Sequence, residues 1–414
     1  MKILYITSVP PSPRHSGTGI RLFNVLRALT ALGQVTLVSL VSEEEKELLG
    51  ECRSLTDRVV TVDREGELER LYPSAGPTTV WMDLWNAINT LEPIGMKNRN
   101  GSELAGVVKL FEGQGFDLMW ITKSWVAGLL PFLDWRKVVV DLDDLEHRVK
   151  WRTLKLSSWY PTIIFDYANI WKQRMFERRL CKRAASVLVC SEDDRQILAH
   201  NNVRVLPNCV DVSEGTLDGV RGNPYRLLYV GNFKYAPNVD ATLFFCKSIL
   251  PHIRRVEPRA HVYIVGRAPP KEISALHTGV DVIVTGTVPD VTPYFNESGV
   301  VIVPLRVGGG TRVKILEAFA HRKAVVSTRI GAEGLQVEDG IHLYLADKPA
   351  DFASRCVKLM GDSPARRALG EAGRRLVETH YNQSIFQQTI WEIVSDVTGS
   401  ECSQRNGARI GQGL

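Results

Sequence analysis

No two of the seven cysteines are spaced as Cys-x-x-Cys, and their number is odd, which argues against a structural zinc site and against a disulfide framework. They read as buried thiols of a protein kept in a reducing cytoplasm. No apolar run approaches the length of a membrane-crossing helix. The opening MKILYITSVP ends in prolines and lacks a small-residue cleavage site, so it reads as a first strand and not as a secretory signal. The Gly-x4-Gly-Lys-Ser/Thr pattern is missing, which disfavours a nucleoside triphosphatase, and there is no internal repeat of solenoid period. Charge of one sign is not in excess either: 51 Lys and Arg stand against 46 Asp and Glu, a net +5 too mild to indicate a nucleic-acid partner.

What is present is a composition ordinary for a soluble folded protein, 44% hydrophobic and 23% charged, over 414 residues, enough for two cores. The chain begins with the apolar run KILYITSV and the loop PPSPRHSGTG. IRLFNVLRALTALG follows with helical spacing ending at Gly33, then QVTLVSLV, which completes a β-loop-α-β unit. DRVVTVD, FDLMWITK, KVVVDLDD and ASVLVCS continue the theme. From Ser213 to Tyr225 the sequence turns polar and glycine-rich, as a linker does, and a second strand series follows in YRLLYVGN, AHVYIVGR, VDVIVTGTV, GVVIVPL and KAVVSTRIGAEG. This predicts an α/β protein of two Rossmann-like doubly wound domains facing across a cleft, at residues 1–218 and 224–384. A helix at 385–399 would cross back to the first domain, and a tail at 400–414 would be disordered.

Three glycines, Gly308 to Gly310, follow GVVIVPLRV and precede TRVKILEAFA, whose Val313, Leu316 and Ala320 share one helical face. A glycine-rich turn lets backbone N–H groups approach a ligand, and a helix start favours an anion. Arg312 and Lys314 in that first turn oppose the helix dipole, a local conflict that a bound anion resolves. A plain tight turn, or an ordinary Lys314–Glu317 helical pair, is the alternative.

This segment resembles the donor-site signature of glycosyltransferase family four, in which two Glu residues separated by seven positions frame a glycine turn and a helix start. Those enzymes are retaining transferases of the two-domain GT-B type. Glu317 with Ala318, then KAVVST and IGAEGL, match the second half of the signature. Eight positions before Glu317 stands Gly309, so the first Glu, which in many members holds a donor-sugar hydroxyl, is absent. A branch carrying GGGTR with a following Lys shows the same replacement. The resemblance implies a nucleoside-diphosphate-sugar donor, with Gly309, Gly310, Thr311, Arg312 and Lys314 at its diphosphate and Glu317 at its ribose. It also implies Gly17 and Gly19 of SGTGIRLFNVLRAL near the donor phosphates, although a Gly-x-Gly alone is often a plain turn. Gly231, Asn232 and Lys234 of LYVGNFKYAPNVDA would stand beside the diphosphate. Gly266 of IVGR and Val288 of VTGTVPDVTPYF would enclose the nucleobase.

The acidic cluster DLDDLEH ends a strand of the first series, and three readings of it stay open. Asp141 and Asp143 could chelate a divalent ion, Asp143, Asp144 or Glu146 could bind or deprotonate an acceptor hydroxyl, or the acids could cap the next helix. The two-domain resemblance favours the second, with Asp143 and Asp144 as catalytic residues and neither metal nor cofactor beyond the donor co-substrate. Between Arg148 and Arg183, ten Lys or Arg stand against two acids, interleaved with Trp151, Trp159, Tyr160, Phe165, Tyr167 and Trp171. Such a stretch suits peripheral contact with the cytoplasmic face of an anionic membrane, or a solvated helix with its aromatic side on the core. The expected activity is sugar transfer to a sugar, lipid-linked or small-molecule acceptor in polysaccharide or glycolipid synthesis. A non-catalytic nucleotide-sugar-binding protein and an epimerase or phosphorylase on the same fold are the rivals.

Overall fold

The computed structural model describes residues 1–13, 17–65, 102–156, 163–212, 222–309 and 312–399. Gly310, Thr311, Trp159, Tyr160, most of the expected linker and the tail fall outside them. Two parallel sheets organise the chain. The first contains β1 (Lys2–Thr7), β2 (Gln34–Val41), β3 (Arg58–Asp63), β4 (Leu118–Thr122), β5 (Val138–Asp143), β6 (Ser186–Val189) and β7 (Val203–Val205), in the order β3-β2-β1-β4-β5-β6-β7. The second contains β8 (Asn223–Val230), β9 (His261–Val265), β10 (Val282–Gly286), β11 (Ser298–Val303), β12 (Ala324–Ser327) and β13 (Tyr344–Leu345), in the order β10-β9-β8-β11-β12-β13. Two doubly wound α/β units result, as the two strand series predict.

The central strands are near-continuous apolar runs because helices cover both of their faces. Along β1, Ile3 and Tyr5 enter one apolar cluster while Leu4 and Ile6 enter another across the sheet, the two-residue period of a strand made visible. Strand order reverses between β1 and β4 and again between β8 and β11. Crevices outside the carboxyl ends of strands at such reversals are where open α/β sheets take ligands.

The helix Gln383–Thr398 starts at Asn382, whose side chain accepts the Ile385 N–H at 2.9 Å. It follows the second unit in sequence yet buries Phe386, Ile390, Ile393 and Val394 in the cluster that holds Ile3, Tyr5, Leu22 and Val25 of the first. Ile390→Ala should therefore cost about 2–5 kcal/mol. Hydrogen exchange should show the lost protection in β1 and in the helix Gly17–Thr30, with little change in the second sheet.

Three details differ from the sequence reading. The first helix ends at Thr30, three residues short of Gly33, and the three-residue β7 and two-residue β13 were not foreseen because runs this short carry no readable apolar period. The basic aromatic stretch forms two helices, Glu146–Leu156 and Ile163–Arg183, with mixed orientations. Phe176 and even Lys172 are buried, whereas Trp151 and Trp171 are 42% and 53% exposed. The aromatics thus do not share a core-facing side, and Trp151 meets Tyr167 edge-on at 5.3 Å instead.

Candidate active site

A cleft of about 1620 Å³ lies between the two units, with Ser8 after β1, Lys123 after β4, Gly231 after β8 and Leu305 after β11 in its walls. Roughly 300–1,000 Å³ suffices for a drug-sized ligand, so this space admits a nucleotide and a second molecule together.

On the wall of the second unit, the helix Val313–Ala320 begins at Arg312 and buries Ile315, Leu316 and Phe319 beneath it. Burial on that side fixes the first turn toward the cleft. Arg312 is only 6% exposed, lines the cleft, and donates through its guanidinium to the Gly309 and Ile330 carbonyls. Its Nε has no hydrogen-bond partner among the described residues, an unsatisfied buried donor of the kind that marks a ligand site. Lys314 donates to Asn238 Oδ1 at 2.9 Å and to the Tyr229 hydroxyl at 3.1 Å, with the Tyr229 ring 4.3 Å from its ammonium. Burial, and then the neighbouring Arg312 charge, lower its pKa to about 7 in spite of Glu317. Two cations crowded at one helix start amount to a site that gains energy by receiving an anion.

On the opposite wall, β4 and β5 end in two non-glycine residues with positive φ, Lys123 at 69° and Asp143 at 62°. Strained backbone of this sort costs on the order of 1–3 kcal/mol and concentrates at functional sites. Lys123 Nζ reaches Asp144 at 2.8 Å and Asp143 at 3.4 Å. Burial opposes the charge on Lys123, but the two carboxylates outweigh it and raise its pKa. The carboxylates themselves diverge. Burial raises the pKa of Asp143 despite its cations, whereas Lys123 and Arg312 overcome burial at Asp144 and hold it low. Paired acids pushed apart in this way suit different roles.

Asp141 does not face the cleft. It is 1% exposed and takes both Arg21 Nη2 at 3.0 Å and Nε at 3.2 Å, so its carboxylate is already engaged and the Asp141–Asp143 chelate reading loses one ligand. Among the described residues no group of three or more His, Cys, Asp or Glu side chains could hold a metal ion. Glu146 accepts from Ser124 at 3.1 Å, beside a buried network joining Gln173, Glu177 and His147.

Of the other sequence-predicted residues, Gly17, Gly231, Asn232, Lys234, Gly266, Val288, Gly309 and Glu317 all line the cleft. Gly19 does not: it is buried in the first helical turn, its carbonyl accepting the Ser12 N–H at 3.0 Å. Asn232 spends its side chain locally, accepting the Lys234 N–H at 3.1 Å. Gly266 is required by packing. A Cβ there would lie 1.7 Å from the Gly231 carbonyl oxygen.

A clasp between the units was not foreseen. Arg148 and Arg152, at the start of the basic stretch, turn inward onto Glu333 at 2.6 and 2.7 Å, and Arg152 also donates to the Gly308 carbonyl at 2.8 Å. These two arginines therefore face the cleft edge and not a membrane. Each charge-assisted bond contributes about 1.5–3 kcal/mol at partly buried positions. Glu333→Gln should open the cleft, read as a larger radius of gyration in small-angle scattering that no longer grows with salt.

Residues 224–362 match the family model described as glycosyl transferases group 1. An uncharacterized protein of the cps region of Klebsiella pneumoniae is 21% identical over 176 residues, 39% of this chain and 45% of its own length. An uncharacterized glycosyltransferase of Methanocaldococcus jannaschii is 32% identical over 87 residues, 20% of this chain and 24% of its own length. The chain thus spans less than half the length of these curated relatives. Among solved structures, sucrose-phosphate synthase from Thermosynechococcus elongatus superposes with a TM-score of 0.68 at 16% identity, covering 96% of this chain and 100% of that one. Anabaena HepE in complex with UDP and glucose gives 0.66 at 13%, covering 95% and 99%. WaaG, a glycosyltransferase involved in lipopolysaccharide biosynthesis, gives 0.62 at 14%, covering 94% and 99%. The fold is that of the GT-B glycosyltransferases over nearly the whole chain, and it is the second unit, at residues 224–362, that matches the glycosyl transferases group 1 model.

Proposed function

We propose that this protein is a retaining glycosyltransferase of family four, of the branch with GGGTR and a following Lys, which moves a hexose from a nucleoside-diphosphate-sugar to an acceptor hydroxyl. One observation carries the reading: Arg312, buried with an unsatisfied Nε, meets Lys314 at a helix start on the wall of a two-unit cleft. As the anomeric bond breaks, charge gathers on the departing diphosphate, and cations fixed in place stabilise that state more than the ground state. Arg312, Lys314 and Lys234 answer the charge that a metal answers elsewhere, so the reaction proceeds without one. Gly309 offers backbone to the diphosphate with Gly231 beside it, Glu317 takes the ribose hydroxyls, and Gly266 and Val288 border the base; Gly310 and Thr311, outside the described residues, belong to the same diphosphate site by resemblance. Asp143 and Asp144 stand on the opposite wall, where the acceptor hydroxyl is bound or deprotonated. HepE was solved with UDP and glucose, which supports a nucleotide-sugar as the donor here.

A thermal-shift screen of nucleotide-sugars, followed by product analysis with and without chelator, tests this. Turnover that survives chelator and needs an acceptor supports it. Affinity without turnover favours a binding protein, and acceptor-free conversion an epimerase.

Lys314 supplies a pH signature. With a pKa of about 7 in the free protein, it is largely neutral at pH 8, and a bound diphosphate restores its charge. Donor binding should therefore take up close to one proton at pH 8 and almost none at pH 5.5, measured by calorimetry in buffers of different ionisation enthalpy.

The acceptor belongs, on this reading, to cell-surface polysaccharide or glycolipid synthesis, and the protein works at the cytoplasmic face of a membrane. No helix among the described residues is long and apolar enough to cross one. Ile164 at 65% exposure and Trp171 at 53% offer the interfacial contact instead. Trp171→Ala with Ile164→Ser should weaken sedimentation with anionic liposomes without touching donor binding.

A further inference from the structure

Gly309 belongs to the second unit, yet the side chains that crowd its Cβ position come from the first. A Cβ built on Gly309 would lie 2.6 Å from Val149 Cγ2 and 3.0 Å from both Cβ and Oδ2 of Asp144. Real Cβ atoms essentially never come as close as the Val149 contact and seldom as close as those to Asp144, so the space above residue 309 is already filled by side chains that reach over from the first unit. Asp144 carries a negative charge there, held by Lys123 at 2.8 Å. The Tyr235 phenol, whose oxygen would stand 3.2 Å from a Cβ built on the neighbouring Gly308, and the buried Arg312 complete the surroundings. Asp144, Lys123, Tyr235 and Arg312 all line the same cleft. A carboxylate set beside the cations that would take a diphosphate is within reach of the sugar that the diphosphate carries. Carboxylates accept from vicinal hydroxyl groups, which a hexose presents.

We propose, on the donor-site reading given above, that Asp144 is a ligand of the donor's sugar, supplied across the cleft by the first unit to a position where the second unit has only glycine. The donor site is thereby complete only when the two units are closed. Lys123 is a positioning residue in this arrangement, fixing the carboxylate over Gly309. Asp143 is left for the acceptor.

Calorimetry with UDP-glucose, UDP-N-acetylglucosamine, GDP-mannose and ADP-glucose, each against its free nucleoside diphosphate, tests the assignment. Wild-type protein should prefer one nucleotide-sugar over its own diphosphate. Asp144→Asn, which keeps size and removes charge, should weaken that nucleotide-sugar at least tenfold while leaving the diphosphate within twofold. Asp144→Ala should do the same, and melting temperatures near wild type certify both folds. Equal losses for the two ligands, no loss for either, or a wild type blind to the sugar each overturn the role of Asp144. Arg312→Ala separates the premises: unchanged diphosphate binding in that variant, or no binding of any pair by wild type, overturns the donor site itself and the proposal with it.

Discussion

Arg312→Ala should reduce affinity for the donor diphosphate about 100-fold. Arg312 is 6% exposed and its Nε has no partner among the described residues, so a bound phosphate oxygen would satisfy a donor that the free protein leaves unpaired. A charge-assisted bond of this sort is worth about 1.5–3 kcal/mol, and each 1.4 kcal/mol is tenfold. Arg312→Lys keeps the charge but loses the planar fork and should fall between, about tenfold down. Because the guanidinium also holds the Gly309 and Ile330 carbonyls, the measurement pairs calorimetry with a melting curve. Unchanged affinity at unchanged stability would sink the donor-site assignment.

Gly266→Ala should be the most damaging small substitution in the cleft wall. The Gly231 carbonyl oxygen stands 1.7 Å from where the methyl would go, and Phe233 Cε2 stands 3.1 Å away on another side. Gly231 itself donates to the Val265 carbonyl at 3.0 Å, so the ends of β8 and β9 cannot part without breaking their ladder. Overpacking against backbone costs about 3 kcal/mol or more, a fall of roughly 6–12 °C in melting temperature for a unit of this size. A variant that lost donor affinity while melting like wild type would show instead that residue 266 acts on the ligand directly.

Much of the layout could be read from the residues because it is written in local runs. Each apolar strand of the two series appears where its run stands, and the helix Val313–Ala320 begins where the glycines end. Residue-level geometry was less legible. Gly17 and Gly19 look alike as Gly-x-Gly, but two residues along a helix rotate a position by about 200°, and so Gly17 faces the cleft while Gly19 is buried. Asp141, Asp143 and Asp144 are adjacent in sequence, and only Arg21, some 120 positions away, shows that the first is tied up in the core. The Arg152–Glu333 clasp spans 181 positions. Neither end announces the other, and Arg152 read equally well as part of a basic surface. Lys123 carried no motif; its chance of notice lay in a lysine closing an otherwise apolar strand.

The helix Gln383–Thr398 has a consequence for synthesis. The strands of the first unit are complete by Val205, but Phe386, Ile390, Ile393 and Val394, which seal one of its two apolar layers, are made only after the whole of the second sheet. At about 5–20 residues per second, roughly 10–40 s separate the two events on the ribosome. During that interval Leu22 and Val25 have no permanent cover, while the second unit can finish its own core. The half of the protein that is translated first is therefore the half that matures last, and a nascent chain stalled before residue 386 should engage chaperones through the N-terminal unit.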